Sequence, residues 1–246
     1  MLCPNIPRDV FPYLLVLGRP ASGKSEFIDF LSKVPHDQRA GRYSIGSFDV
    51  ADDFVFLWRH FLEDDELQKQ GRARRLSKPS EFGYVVASDD VWDVLIEDLN
   101  RELKPKLGIP ERPGHTTLVE FSRGRAYGYQ RALSRLETRL LQRGAVLYLQ
   151  VSFEESWRRN LARYDEKRKS GILTHSVPRA EMERTYGEDD WAGLTGDKPD
   201  GYLLVSGITL PFVTMFNEPE SVDPVVLDHR YGQALTALKL LWDKSR

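Results

Sequence analysis

Residues 18–25 read Gly-Arg-Pro-Ala-Ser-Gly-Lys-Ser, a full G-x-x-x-x-G-K-[ST] phosphate loop, directly after the apolar run Tyr13-Leu14-Leu15-Val16-Leu17. Such a run has the make-up of a buried strand, and Glu26 to Leu31 continues with apolar residues at helical spacing. The motif therefore joins strand to helix, which is the context its chemistry requires. Its glycines let backbone N–H groups curl around phosphate oxygens, Lys24 reaches the β and γ phosphates, and the Ser25 hydroxyl can ligate Mg²⁺. Gly18, Arg19, Ala21, Ser22, Gly23, Lys24, Ser25 and Glu26 are the candidate contacts to a nucleoside triphosphate, ATP or another, with Mg²⁺.

With 246 residues, 41% hydrophobic and 29% charged, the chain suits one α/β domain with insertions. A formal charge of −2 argues against a general nucleic-acid binder, which needs a basic surplus for phosphate contacts. The single cysteine, Cys3, allows no internal disulfide and suits a reducing compartment. No stretch approaches the roughly 18 apolar residues of a membrane span, and the N-terminus has no basic region followed by a long apolar segment. The expectation is a cytoplasmic protein without a membrane partner; the sequence leaves its oligomeric state open.

Strand signals alternate with helical patterns along the chain. Arg42 to Phe48 reads as a short second strand that delivers Asp49, Asp52 and Asp53 at its end. Thr116 to Phe121 reads as a third, ending in Glu120 and followed by Ser122-Arg123-Gly124-Arg125. A helix from about Tyr127 to Gln142 is apolar at Leu133, Leu136, Leu140 and Leu141, and Gly144 closes it. Ala145 to Val151 is a buried fourth strand, and Ser152-Phe153-Glu154-Glu155 is a capping box that opens another helix. Strands separated by helices give a mainly parallel sheet with helices on both faces, whose ligands bind at the C-terminal strand ends.

Two stretches stand outside that core. Residues 51–114 offer a helix over Phe54 to Leu62, a polar turn with Arg72, Arg74 and Arg75, and an amphipathic helix capped by Ser88 with Val91, Leu95, Leu99 and Leu103 on one face. Pro105, Pro110 and Pro113 then form a stiff connection. This first insertion is expected on the substrate side. Residues from about 158 to 199 are polar and broken by glycines, and read as a mobile lid. The histidines are scattered, so no zinc site is expected; His175, within the lid, is the one of interest.

This order of motifs resembles the P-loop kinases of small metabolites, most closely the nucleoside and nucleotide kinase group. The resemblance covers the order of elements and implies a three-layer P-loop NTPase fold. In deoxynucleoside kinases the second strand ends in a carboxylate that acts as general base on the acceptor hydroxyl, and the matching place here is Asp49, with Asp52 or Asp53 as alternatives. Their Glu-Arg-Ser motif after the third strand is similar to Glu120-Phe121-Ser122-Arg123, though permuted. It implies a Mg²⁺ role for Glu120 and a substrate or phosphate role for Arg123 or Arg125. Their lid helix begins after a Glu-Glu pair with arginines four apart, which Glu154-Glu155, Arg159 and Arg163 match. Phe212 to Phe216, running into Asn217-Glu218-Pro219, looks like the last-strand loop that lies against the nucleotide base.

The expected activity is transfer of the γ-phosphoryl group to a hydroxyl of a small molecule such as a nucleoside, nucleotide or sugar. A regulatory or mechanical NTPase acting on a macromolecular partner is the alternative, and only partly fits: such proteins usually show an apolar strand ending in Asp or Asp-Glu, which Leu118-Val119-Glu120-Phe121 matches in part, and no Asn-Lys-x-Asp is present. The acceptor itself is open at this level.

Overall fold

The computed structural model describes residues 10–80, 83–107, 113–169 and 179–246, with side chains 163–169 outside the described set. The first strand, β1 (Tyr13–Gly18), is buried along its whole length. Alternate residues feed two cores: Leu15 and Leu17 one, Leu14 and Val16 the other. This is why it reads as a continuous apolar run and not as an alternation. Helix α1 (Lys24–Lys33) follows the phosphate loop and packs Phe27 and Leu31, four residues apart, into the second core.

Helix α2 (His36–Tyr43) and β2 (Ser47–Asp52) replace the expected strand over 42–48. The displacement has a local cause. Arg39 is buried in α2 and donates from Nε to Gly46 O at 2.9 Å and from Nη1 to Leu31 O at 2.9 Å, while Ser44 ends the helix at φ 55°. Tyr43 and Ile45 are buried, but by a helix end and a turn. The strand expected over 42–48 is therefore realised only at Ser47 and Phe48.

Helix α3 (Asp53–Lys69) is capped by Asp52, whose Oδ1 accepts from Phe54 N at 2.9 Å. A hairpin, β3 (Ser77–Ser80) with β4 (Gly83–Val86), lies beside it. In α4 (Val91–Leu107) the expected face of Val91, Leu95, Leu99 and Leu103 is buried. The helix starts three residues after Ser88 and carries Pro105 in its last turn. Pro110 lies outside the described residues. Ala51 and Asp52, placed in the first insertion by sequence, belong to the sheet.

Strand β5 (His115–Phe121) is followed by two short helices, α5 (Tyr129–Ser134) and α6 (Thr138–Arg143), where one helix was expected. Asn100 of α4 holds the break open: its Nδ2 donates to Arg135 O at 2.8 Å and its Oδ1 accepts from Glu137 N at 3.0 Å. The four leucines expected inside are buried nonetheless. Strand β6 (Gly144–Gln150) leads into α7 (Phe153–Lys169), where Ser152 Oγ accepts from Glu155 N at 3.2 Å, one half of the expected capping box; Ser152 N donates to Glu218 in place of Glu155.

Helices α8 (Arg179–Tyr186) and α9 (Trp191–Thr195) precede β7 (Asp200–Val205), β8 (Ile208–Phe216) and α10 (Pro224–Lys244). The main sheet has the order β2-β5-β1-β6-β8-β7, parallel except for β7 on the edge. One core packs α3 to α6, α8 and α9 against one face; the other packs α1, α2 and α10 against the opposite face. This is the expected three-layer α/β fold. Of the expected lid, 158–169 lies in α7, residues 170–178 (with His175) lie outside the described residues, and 179–199 is tied to the core by buried Met182, Tyr186, Trp191 and Thr195. Among the described residues no helix is long and apolar enough to cross a membrane.

Candidate active site

The phosphate loop sits at the C-terminal end of β1, where the parallel strands leave their last residues around it. Ala21 is held at φ 57° and Gly23 at φ 104°. The first is a left-handed alanine, a strain of about 1 kcal/mol that a functional turn tolerates. A Cβ on Gly23 would lie 2.3 Å from Asn217 Nδ2, so only glycine fits. That amide donates to Ser22 O at 2.9 Å, and Asn217 N donates to Gln150 O at 2.9 Å. Asn217 is buried and braces the loop from behind, with its side chain spent on the loop where a contact to the nucleotide base was expected.

Lys24 Nζ donates to Gly18 O at 3.2 Å, Arg19 O at 3.0 Å and Ser122 Oγ at 2.8 Å, and stands 3.9 Å from Glu120 Oε1. Ser122 was read only as part of a permuted motif; its contact with Lys24 becomes visible only when β5 is laid beside β1. Ser25 and Glu26 are exposed on the first turn of α1. Ser22 Oγ is buried without a hydrogen-bond partner among the described residues. A strained glycine-bounded turn, a buried lysine and an unsatisfied hydroxyl together fit a phosphate group.

Asp52 pairs with Glu120 across β2 and β5, side by side at the strand ends. Burial pushes the Asp52 carboxyl up to about 6, with the charge of Asp53 adding to it. Burial likewise pushes Glu120 up to about 7, against the pull of Lys24. Asp53 is buried and raised by the same cause, opposed by Arg123. Arg123 is 1% exposed; its Nη1 donates to Asp53 Oδ2 at 2.5 Å and its guanidinium lies over the rings of Trp92, Phe121 and Tyr127. Three carboxylates and two cations thus meet where β1, β2 and β5 end.

Asp49 is not among them. It faces Thr117 in register, three residues up the strand from Asp52 and about 10 Å from it at the rise of a β-strand. Its carboxylate is bonded to Lys106 Nζ at 2.5 Å and His115 Nε2 at 3.2 Å, and the burial that would raise it is outweighed by these bonds, so it sits below the usual carboxylate range. The shift of β2 is the reason: the strand ends at Asp52, four residues beyond the expected end at Phe48, so Asp49 lies within it.

The two expected lid arginines also differ from expectation. Arg159 is 3% exposed, donating from Nε to Glu155 Oε1 at 2.7 Å and from Nη2 to Asn217 O at 2.7 Å. It is a strut between α7 and the loop after β8, with its fork already committed. The side chain of Arg163 lies outside the described residues. Arg125 is exposed and paired with Glu188, away from Arg123. Arg19 sends its side chain out of the loop, to the carbonyls of Val151, Tyr186 and Gly187.

No protein-family model and no curated protein matches the chain. Among solved structures, a gluconokinase from Sinorhizobium meliloti 1021 superposes with a TM-score of 0.51 at 13% identity, over 96% of this chain and 99% of its own. A sugar kinase from Janibacter sp. HTCC2649 gives a TM-score of 0.45 at 15% identity, over 93% of this chain and 97% of its own. At 13% identity the likeness to the gluconokinase is one of architecture. It agrees with the phosphate loop and the strand order: the chain has a P-loop kinase-like fold.

Proposed function

We propose that the protein is an ATP-dependent, Mg²⁺-requiring phosphotransferase that moves the γ-phosphoryl group to a hydroxyl of a small molecule. The observation that carries the reading is the meeting of Lys24 with Asp52 and Glu120 at the mouth of a complete phosphate loop. Charge on a transferring phosphoryl group spreads over its oxygens, so the chemistry needs a cation at the phosphates and a carboxylate at the acceptor. Lys24 supplies the first and Asp52 the second. One oxygen of Asp52 caps α3 and fixes the carboxylate's orientation, while its pKa of about 6 leaves it ionised at neutral pH yet basic enough to take a proton.

Mg²⁺ fits as a cofactor because the donors beside the loop are all oxygens, and such an ion needs only one or two protein ligands beside phosphate. Ser25 and Glu120 would hold it, and bound there it neutralises charge on the β and γ phosphates. Arg123, paired with Asp53, holds the acceptor side of the site rigid. The acceptor is a sugar, sugar acid or nucleoside; the shared fold of a gluconokinase supports a sugar acid.

The test compares two aspartates. With pooled polyols, sugar acids and nucleosides as acceptors, Asp52→Asn should lower turnover by about two to four powers of ten, the usual share of general-base catalysis, with little change in ATP affinity. Asp49→Asn should leave turnover within a few-fold of wild type. The reverse pattern would return the role to Asp49.

A further inference from the structure

Arg19 occupies the first variable position of the phosphate loop, yet its guanidinium reaches two other segments. Nε donates to Tyr186 O at 3.0 Å, Nη1 to Val151 O at 2.9 Å and Nη2 to Gly187 O at 3.2 Å, with Asp189 Oδ2 3.5 Å from Nη2. A rigid planar fork suits three convergent acceptors; a lysine ammonium, a compact point charge, does not. The side chain is mostly enclosed there, at 16% exposure.

The stretch after α8 grips, in turn, the loop that leaves β5. A Cβ on Gly124 would lie 1.5 Å from Thr185 O, so the two backbones are in direct contact. Arg125 N donates to Glu188 O at 2.8 Å. The Asp190 carboxylate accepts from Tyr129 N at 2.6 Å and Gln130 N at 3.0 Å, at the start of α5. Tyr148 Oη donates to Asp189 Oδ2 at 2.7 Å, fixing the stretch to β6. Residues 185–190 are therefore a bracket with the phosphate loop on one arm and, on the other, the loop that carries Ser122 and Arg123.

We infer that Arg19 is a positioning residue that couples the two halves of the site, so that nucleotide in the phosphate loop is felt through residues 185–190 at the acceptor side. The inference rests on the kinase reading and adds to it a path between the substrates. A shift of the loop backbone on binding phosphates carries Arg19 with it, and three carbonyl bonds pass that shift to the bracket. Coupling of this kind is reciprocal: acceptor tightens nucleotide by the factor by which nucleotide tightens acceptor.

Hydrogen exchange of the full chain tests this, with and without a non-hydrolysable ATP analogue plus Mg²⁺, in wild type, Arg19→Ala and Arg19→Lys. Thermal shift reports binding of the analogue separately. In wild type the analogue should slow exchange across both 184–190 and 122–130. In both variants it should still bind, but the added protection should be confined to the phosphate loop and α1. A purely structural anchor would instead speed exchange in the ligand-free variants and leave the analogue's increment intact. In turnover, Arg19→Ala should raise the acceptor KM at least severalfold more than the nucleotide KM. Equal increments at 122–130 in wild type and Arg19→Ala would overturn the coupling. So would their absence in a wild type that binds the analogue. A wild type that gives no thermal shift would overturn the nucleotide reading as well, which tells the two failures apart.

Discussion

Glu120 and Asp52 show how single residues set the behaviour of the site. Both carboxyls are raised, to about 7 and about 6, chiefly by burial, so the folded state binds their protons more tightly than the unfolded chain does. Their contribution to stability is full at low pH and is lost as pH rises through those values. Glu155, held down to about 2 by Arg158 and Arg159, opposes this only in strong acid, where its own contribution is lost. Between pH 5 and 8 the protein should therefore be more stable at the acid end. Glu120→Gln should narrow that difference by an amount on the order of 1–3 kcal/mol, read as the midpoint of urea denaturation at the two values. If Asp52 is the base, turnover should rise about tenfold per pH unit below about 6 and flatten above it. At Gly23 the contact with Asn217 leaves no room for a methyl group, and Gly23→Ala should abolish triphosphate binding while most of the core survives. Retained binding, measured by calorimetry, would show that the loop can move aside.

Elements differ in how openly they announced themselves. β1, β5 and β6 were legible because strands buried on both faces read as apolar runs, and the phosphate loop because its chemistry fixes its letters. β2 was misplaced because Tyr43 and Ile45 are buried by a helix end and a turn, and nothing local separates that from a strand. The shift puts Asp52, one of the alternatives left open by the sequence, at the strand end in place of Asp49. Buried arginines were the other blind spot. Arg159 and Arg19 have the spacing and position of phosphate ligands, but the backbone carbonyls they bond lie 58 and 132 or more residues away in sequence. Arg159→Ala should then act on stability: it removes one of the two arginines that hold Glu155 and frees the loop after β8, at a cost of about 2 kcal/mol. A thermal melt checks this against a direct catalytic role, in which turnover would fall while the melting temperature stayed unchanged.

At the scale of the whole molecule, strand order, phosphate loop and the acidic cluster beside Lys24 support the proposed phosphoryl transfer to a bound acceptor. The bracket at 185–190 and the strut at Arg159 tie both flanks of the loop to the core, so the chain holds its phosphate cradle in place. The measurement that bears most directly on this account follows the label of γ-labelled ATP in the presence and absence of pooled polyols, sugar acids and nucleosides. The account predicts slow release of inorganic phosphate alone, label transferred into an organic phosphate ester when acceptors are added, and loss of both in Lys24→Ala. Release of inorganic phosphate at one rate with or without acceptors, with no labelled ester formed, would contradict it.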